Sequence, residues 1–209
     1  MIITYLGKQA FKIAQGDITL SFNPVGKNST SGVKQSKFGA DVTFITVNHP
    51  DFNGVDANVY GDTTPFAIEG AGDYEAKGIF IKGIGTRATI DGTPHINTIY
   101  TLTLDGISLC FLGSITKDAM TPEVREKIDD VDVLFIPIGG DDTTDVESAY
   151  KLAVSLEPKI IIPMDYSDDN AILKTFLKEG GQEGLKSEEK LTLKRKDLEG
   201  KQGTIVVLQ

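Results

Sequence analysis

The first 112 residues alternate between short apolar-rich runs and turns that contain glycine or aspartate. Residues 97–104 switch regularly between polar and apolar positions, as a strand with one buried face does. Asp105-Gly106 separates this run from the next, which is a strong signal for a two-residue hairpin turn. The pattern predicts strands at residues 1–6, 10–15, 18–22, 42–46, 57–60, 65–68, 74–76, 78–84, 95–104 and 107–112.

After residue 120 the pattern changes to apolar strands that alternate with amphipathic helices. Thr121-Pro122 predicts a helix start, since threonine caps helices and proline is favoured at the first helical position. Thr144 opens a capping-box pattern, and Ser167 is placed to cap a third amphipathic segment. Continuous apolar runs predict buried strands at 131–136 and 159–163, and two late strands are predicted at 191–193 and 204–208.

Together these elements predict an α/β (α+β) fold. The first half is mainly a meander of half-buried strands, whereas the second half alternates strand and helix. Two sheets packed face to face, with helices outside, would bury both kinds of strand. We therefore expect a four-layer αββα sandwich, formed by a single domain over residues 1–209.

Composition and charge exclude several classes of partner. The net charge of −9 would repel nucleic acid and anionic membrane surfaces. No apolar run approaches the ~20 residues that span a bilayer, and the N-terminal residues resemble a strand more than a signal peptide. Cys110 is the single cysteine, which excludes an internal disulfide framework and a cysteine-rich zinc site. These features lead us to expect a cytoplasmic protein.

The stretch from residue 42 to residue 53 has the strongest pattern for a functional site. An apolar strand ends in a short polar loop that holds His49 and, two residues later, Asp51. Such loops place chemistry on the rigid edge of a sheet. A catalytic metal needs at least three protein ligands, so further ligands would have to come from elsewhere in the chain.

Short segments along the chain stand in an order that is typical of one family. They are 3–7 (ITYLG) with 10–11 (AF), 20–24 (LSFNP), 69–75 (EGAGDYE), 111–113 (FLG), 136–140 (IPIGG) and 162–166 (IPMDY). In this order they resemble the metallo-β-lactamase superfamily, and within it the small metal-dependent hydrolases similar to ascorbate-6-phosphate lactonases. The resemblance extends from residue 1 to about residue 180. It implies two metal ions, usually zinc, that clamp a hydroxide and polarise the scissile bond.

The resemblance also places the family's metal-ligand positions on this chain. His49 and Asp51 occupy two of them, and Asp165 stands where the last histidine is expected and can still bind a metal. The other ligand positions hold residues without that capacity or without the family's charge, namely Val47, Phe52, Ala88 and Ser114. An aspartate before Pro24 and a histidine after Gly7 are replaced by Asn23 and Lys8. The candidate ligands are therefore His49, Asp51 and Asp165.

The residues by themselves leave a structural role open for each candidate. His49 can be a remnant loop histidine, Asp51 can brace the turn after Pro50, and Asp165 can be a turn residue. His95 matches no ligand position and is interpreted as structural.

Three functions are compatible with this pattern. The favoured hypothesis is a degenerate hydrolase homologue without a cofactor, which binds an unknown small molecule or protein through the old cleft or through a dimer face. The first alternative is a hydrolase for a small ester, lactone or phosphorylated metabolite, with one weakly bound zinc or manganese held by His49, Asp51 and Asp165. The second is a metal-free enzyme with a His49–Asp51 acid/base pair. Assembly into a homo-oligomer stays open.

Overall fold

Two β-sheets packed face to face form the centre of the molecule. The structure, a computed structural model, describes residues 1–139, 143–166 and 171–209. The strands are β1 (Ile2–Tyr5), β2 (Phe11–Gln15), β3 (Ile18–Phe22), β4 (Val42–Phe44), β5 (Phe66–Ile68), β6 (Gly72–Ala76), β7 (Ile79–Ile90), β8 (Thr93–Leu104), β9 (Ile107–Phe111), β10 (Val133–Pro137), β11 (Ile160–Met164), β12 (Leu191–Thr192) and β13 (Thr204–Ile205). The α-helices are α1 (Pro122–Arg125), α2 (Val146–Ser155) and α3 (Ala171–Glu179).

The two sheets are mixed. The first has six strands in the order β12-β1-β2-β3-β4-β5, and the second has seven in the order β13-β11-β10-β9-β8-β7-β6. Strands β3, β4 and β5 run parallel, as do β9, β10, β11 and β13. The carboxyl ends of parallel strands meet at one edge of a sheet, which is where open α/β sheets bind ligands.

Aromatic side chains fill the space between the sheets. The ring of Phe22 stacks on Phe44 of the same sheet at 4.3 Å and on Phe111 of the opposite sheet at 4.8 Å. Phe11 meets Phe135 edge to face at 5.0 Å. Offset-stacked and edge-to-face pairs are the favourable aromatic geometries, so this cluster fixes the two sheets against each other.

The outer face of the seven-stranded sheet carries the α-helices. On β10, Val133 and Phe135 face the space between the sheets, whereas Leu134 and Ile136 pack with helix residues such as Phe176. A strand buried on both faces is what the continuous apolar run predicted. The α/β two-sheet sandwich expected from the sequence is confirmed.

The outer face of the six-stranded sheet is covered by irregular chain and a 3-10 helix at Val55–Asn58. The Thr43 hydroxyl donates to Asn58 Oδ1 at 3.1 Å, which holds this helix against β4. The prediction of a strand at 57–60 was therefore wrong. Buried Ala57 and Asn58 pack the segment onto the sheet in a helical turn, and this tertiary contact outweighs the local β preference.

Helix caps agree with the sequence at one helix and differ at another. Thr121 caps α1 by accepting from the Val124 amide. Asp145 rather than Thr144 caps α2, because the Thr144 hydroxyl donates to the carbonyl of Ile115 instead. The predicted cap at Ser167 lies outside the described residues.

Two further features concern helix length and the single cysteine. Among the described residues, no helix has the length and apolar character needed to cross a bilayer. Cys110 is fully buried, and burial raises the pKa of its thiol to about 12. The thiol is therefore un-ionised at neutral pH and unsuited to nucleophilic chemistry.

Candidate functional site

The candidate site lies where the chain leaves β1, β3, β4, β9 and β11. The loop after β4 is anchored at its start by Tyr100 of the opposite sheet, whose buried hydroxyl contacts the carbonyl oxygens of Ile45 and Ile68 at 3.0 and 3.1 Å. The Thr98 amide donates to the Thr46 carbonyl at 2.8 Å and ties the same loop to β8. Both sheets therefore hold the loop that carries His49 and Asp51.

His49 and Asp51 lie side by side in this loop. The Asp51 amide donates to His49 Nδ1 at 3.3 Å, and Asp51 Oδ2 lies 4.0 Å from the same nitrogen. On its other side, His49 Nε2 lies 3.9 Å from Oδ2 of Asp91, at the tip of the β7–β8 hairpin. The His49 side chain is 20% exposed and that of Asp51 is 9% exposed. His49 is therefore partly accessible to solvent, whereas Asp51 is nearly buried.

Lys8 provides the positive charge next to Asp51. Its ammonium lies 3.1 Å from Asp51 Oδ2 and 5.4 Å from the centre of the Phe52 ring. The Ser29 hydroxyl donates to the other carboxylate oxygen at 2.5 Å. Burial alone would raise the pKa of Asp51, but the Ser29 hydrogen bond, the Lys8 ammonium and His49 together lower it. Asp51 is thus a carboxylate that side chains of the same molecule already neutralise.

An apolar cluster lies beside this pair. It consists of Val47, Phe52, Ala88 and Ile90, each at most 4% exposed. Three of these four residues, Val47, Phe52 and Ala88, stand at positions where the family resemblance implies histidine ligands. The structure brings those three positions together across the loop and β7, and it fills the space between them with hydrocarbon. A well-packed apolar cluster offers no partner to a cation or to its water.

Gln9 is the centre of a buried hydrogen-bond network on the far side of Lys8. Its amide nitrogen donates to Asp165 Oδ2 at 2.7 Å and to the Ser114 hydroxyl at 3.0 Å. The Gln9 amide oxygen accepts from Asn23 Nδ2 at 3.1 Å, and Asn23 Nδ2 also donates to the Thr46 hydroxyl at 2.8 Å. Gln9 is completely buried. One neutral side chain therefore joins three of the positions discussed above, namely Asn23, Ser114 and Asp165.

Asp165 belongs to this network and not to the His49–Asp51 pair. Its amide donates to the Lys8 carbonyl at 2.6 Å, and its backbone has a positive φ of 58°. A Cβ atom at Gly139 would lie 2.0 Å from the Asp165 carbonyl oxygen, so the turn after β10 accepts only glycine there. Among the described residues, the three candidate ligands do not form one metal-binding cluster. Lys8 lies between them, since its ammonium pairs with Asp51 and its carbonyl accepts from the Asp165 amide, and Gln9 holds the Asp165 carboxylate.

His95 lies closer to the site than the sequence pattern suggested. It pairs with Ala88 in the β7–β8 register, and its ring centre is 5.8 Å from that of His49 in an edge-to-face arrangement. The contact depends on the length of the hairpin, which extends β7 to Ile90 instead of the predicted end at 84. Alternation along β8 places His95 on a strand but does not indicate which loop it faces.

Lys8, Gln9 and Ser29 are the residues that sequence reasoning did not assign to the site. Lys8 was visible as a replacement for an expected histidine, and its charge opposite to that of Asp51 was the available signal. Gln9 and Ser29 carry no comparable signal, since a glutamine in a turn and a serine in a polar loop are common. Among the described residues, no group of three or more His, Cys, Asp or Glu side chains is arranged to hold a metal ion.

Known proteins with similar sequences carry hydrolase names. A relative from Carboxydothermus hydrogenoformans, named a UPF0173 metal-dependent hydrolase, is 49% identical over an alignment of 200 residues, and the match covers 80% of this chain and 85% of that protein. A relative of the same name from Thermococcus kodakarensis is 24% identical over 189 residues and covers 79% of this chain and 84% of its own.

Solved structures and a family profile agree with these relatives. A crystal structure from Thermotoga maritima is described as a candidate zinc-dependent hydrolase of the metallo-β-lactamase superfamily. It matches with a TM-score of 0.73 and 26% identity, and the match covers 99% of this chain and 97% of that one. The profile of the family described as the β-lactamase superfamily domain matches residues 2–165. This chain therefore belongs to the metallo-β-lactamase superfamily.

Proposed function

We propose that this protein is a degenerate member of the superfamily, without an intact dinuclear metal site and with a non-catalytic binding or scaffolding role. The observation that carries the proposal is the Lys8 ammonium 3.1 Å from Asp51. The Lys8 ammonium already pairs with the carboxylate of Asp51, a candidate ligand, and a metal ion at this site would need that carboxylate free. In this account residues 1–209 act as one domain.

The donor set does not fit two metal ions. Val47, Phe52 and Ala88 lie in a buried apolar cluster, and their side chains have no lone pairs to donate to a metal. Ser114 accepts a hydrogen bond from Gln9 and carries no negative charge, so it would not offset the repulsion between two cations a few ångströms apart. His49 and Asp51 remain adjacent, and two ligands fall short of the three that catalytic zinc sites use.

A metal-free acid/base role for His49 and Asp51 is less well supported. In a His–Asp pair the imidazole is the base, and the carboxylate accepts a hydrogen bond from its other ring nitrogen. Here His49 Nδ1 accepts from the Asp51 amide at 3.3 Å and lies 4.0 Å from Oδ2, while the carboxylate is held by Ser29 and Lys8. The lowered pKa of Asp51 also makes it a weak base. The named activity of the relatives, metal-dependent hydrolysis, belongs to those proteins, and this chain keeps their fold.

Isothermal titration calorimetry of untagged protein with zinc and with manganese tests the proposal. We expect no stoichiometric binding of either ion, because the described side chains supply no three-ligand cluster. A tag-free preparation is needed since a histidine tag binds both ions. Stoichiometric binding that His49→Ala abolishes would overturn the proposal and would favour the hydrolase with a mononuclear site.

A further inference from the structure

A large pocket lies on the other side of Lys8, away from His49. It has a volume of about 980 Å³ and is bordered by the end of β1, by α3 and by the segment that follows α3, together with the C-terminal residues. Ligand pockets in proteins span about 300–1,000 Å³, so this space accommodates a whole small molecule. Lys8 borders both the pocket and the candidate site.

The walls of this pocket favour an apolar ligand body. They are formed largely by leucine, valine and tyrosine side chains, including Leu173 and Leu177 of α3. The tyrosine hydroxyls in the walls already have partners inside the protein. The Tyr5 hydroxyl donates to the Lys8 carbonyl at 2.8 Å, and the Tyr166 hydroxyl donates to the Leu208 carbonyl at 2.9 Å. A polar ligand body would lose its water without gaining hydrogen bonds in return.

Two exposed charges of opposite sign border the same pocket. Lys174 extends from α3, and Glu183 lies in the segment after it. Neither side chain forms an ion pair with another residue in the described parts of the chain. Lys8, the other cation of the lining, is neutralised by Asp51. Among the described residues of the lining, the side-chain charges that remain for a ligand are therefore one positive and one negative.

We propose that the pocket binds a single-chain amphiphile, with its acyl or alkyl chain along the leucine-rich walls and a zwitterionic head group between Lys174 and Glu183. The anionic part of the head group pairs with Lys174 and the cationic part with Glu183. This inference rests on the proposed binding function for its biological meaning, and it gives that function a ligand class. Its physical basis is the pocket alone, so it does not depend on the absence of a metal.

Three probes with the same twelve-carbon chain test whether the head group pairs with both Lys174 and Glu183. We would titrate the protein of residues 1–209 with dodecylphosphocholine, dodecanoate and dodecyltrimethylammonium, each below its micelle concentration, by calorimetry. Dodecylphosphocholine is expected to bind at one site about threefold tighter than either singly charged probe, since an exposed ion pair contributes a factor of about two to five. Lys174→Gln should remove the preference over the cationic probe, and Glu183→Gln should remove the preference over the anionic one.

A matched pair of variants tests the place of binding. Leu185 borders the pocket and is 40% exposed, whereas Val154 lies on α2 outside it and is 49% exposed. Leu185→Asp should weaken dodecylphosphocholine at least tenfold, and Val154→Asp should leave it unchanged. Both positions are exposed, so both variants should fold, which circular dichroism checks.

Equal effects of Leu185→Asp and Val154→Asp would overturn the proposal, as would equal affinity for the three probes. A second copy of the chain as the true occupant would be recognised by sedimentation: the wild type would be dimeric, Leu185→Asp monomeric, and no probe would bind. That result also contradicts the inference. Stoichiometric zinc binding, in contrast, would contradict the proposed function and leave the pocket result standing.

Discussion

Replacing Lys8 with methionine is expected to lower the free energy of unfolding by about 1–3 kcal/mol at pH 7, the cost of leaving a buried polar or charged group without its partner. The Asp51 side chain is 9% exposed and would lose the ammonium at 3.1 Å. Methionine keeps an unbranched stem and meets the same backbone constraint, because Lys8 has a φ of 53°. The variant therefore removes the charge and little else. Urea denaturation measures the effect.

The free energy of unfolding lost in Lys8→Met should decrease as the pH falls. Lys8 helps to lower the pKa of Asp51 in the folded protein, and a carboxyl group with a lowered pKa stabilises the fold above its unfolded pKa, near 3.9. That contribution disappears as the pH falls through the folded pKa. The wild type and Lys8→Met should therefore differ most at neutral pH and converge as the solution becomes acidic enough to protonate Asp51 in both.

Two controls separate this effect from general loss of charge. Lys27 pairs with Asp56 at a similar distance of 3.0 Å, but the two side chains are 67% and 42% exposed. Lys27→Met should change stability by less than about 0.5 kcal/mol, because exposed ion pairs contribute little. Asp51→Asn added to Lys8→Met should recover part of the loss. A Lys8→Met variant as stable as Lys27→Met would contradict the role of Lys8 as the partner of Asp51.

Restoring the metal ligands is expected to restore zinc binding only when Lys8 is also removed. The restored chain would carry the substitutions Val47→His, Phe52→His, Ala88→His, Ser114→Asp and Asp165→His. With Lys8 retained, its ammonium would lie beside the incoming cation. Two unit charges of like sign about 4 Å apart cost about 4 kcal/mol near a protein surface, so Lys8→Gly should tighten zinc binding at least a hundredfold. Glycine also suits the positive φ at this position.

The matched comparison is between the two restored chains, which differ at residue 8 alone. Competition with a zinc-binding dye gives both affinities, and circular dichroism establishes that both chains fold. Equal zinc affinity would show that the Lys8 side chain moves away without cost. It would contradict the claim that the Lys8 ammonium opposes metal binding at Asp51. Absence of binding in both folded chains would contradict the assignment of residues 47, 52, 88, 114 and 165 to the ligand positions.

Local patterns predicted most strands because each signal is short-range. The alternation in 97–104 and the Asp105-Gly106 turn depend on neighbouring residues, and β8 and β9 form there as expected. The segment 57–60 differed because Asn58 meets Thr43, which is distant in sequence. Asp145 caps α2 for a similar reason, since the hydroxyl of Thr144 donates to the distant carbonyl of Ile115. No pattern within a window reveals such contacts.

In the candidate site, too, the sequence predicted the neighbours that are close in the chain and missed the contacts between distant residues. The sequence identified His49 and Asp51 as neighbours because they share one loop. It gave no indication that Asp165 would be held by Gln9 instead of joining them, because that hydrogen bond links residues 156 positions apart. His95 faces His49 only because β7 and β8 continue as a long hairpin. The arrangement of charges and partners in the cleft is a property of the assembled fold.

A crystal structure of the untagged protein grown with zinc, with anomalous data collected at the zinc edge, would show whether Lys8 or a metal ion neutralises Asp51. We expect the Lys8 ammonium in contact with Asp51, Gln9 between Ser114 and Asp165, and no anomalous peak at either place. A zinc peak bound to Asp51 and His49, with Lys8 displaced from Asp51, would overturn the proposal that the metal site is lost.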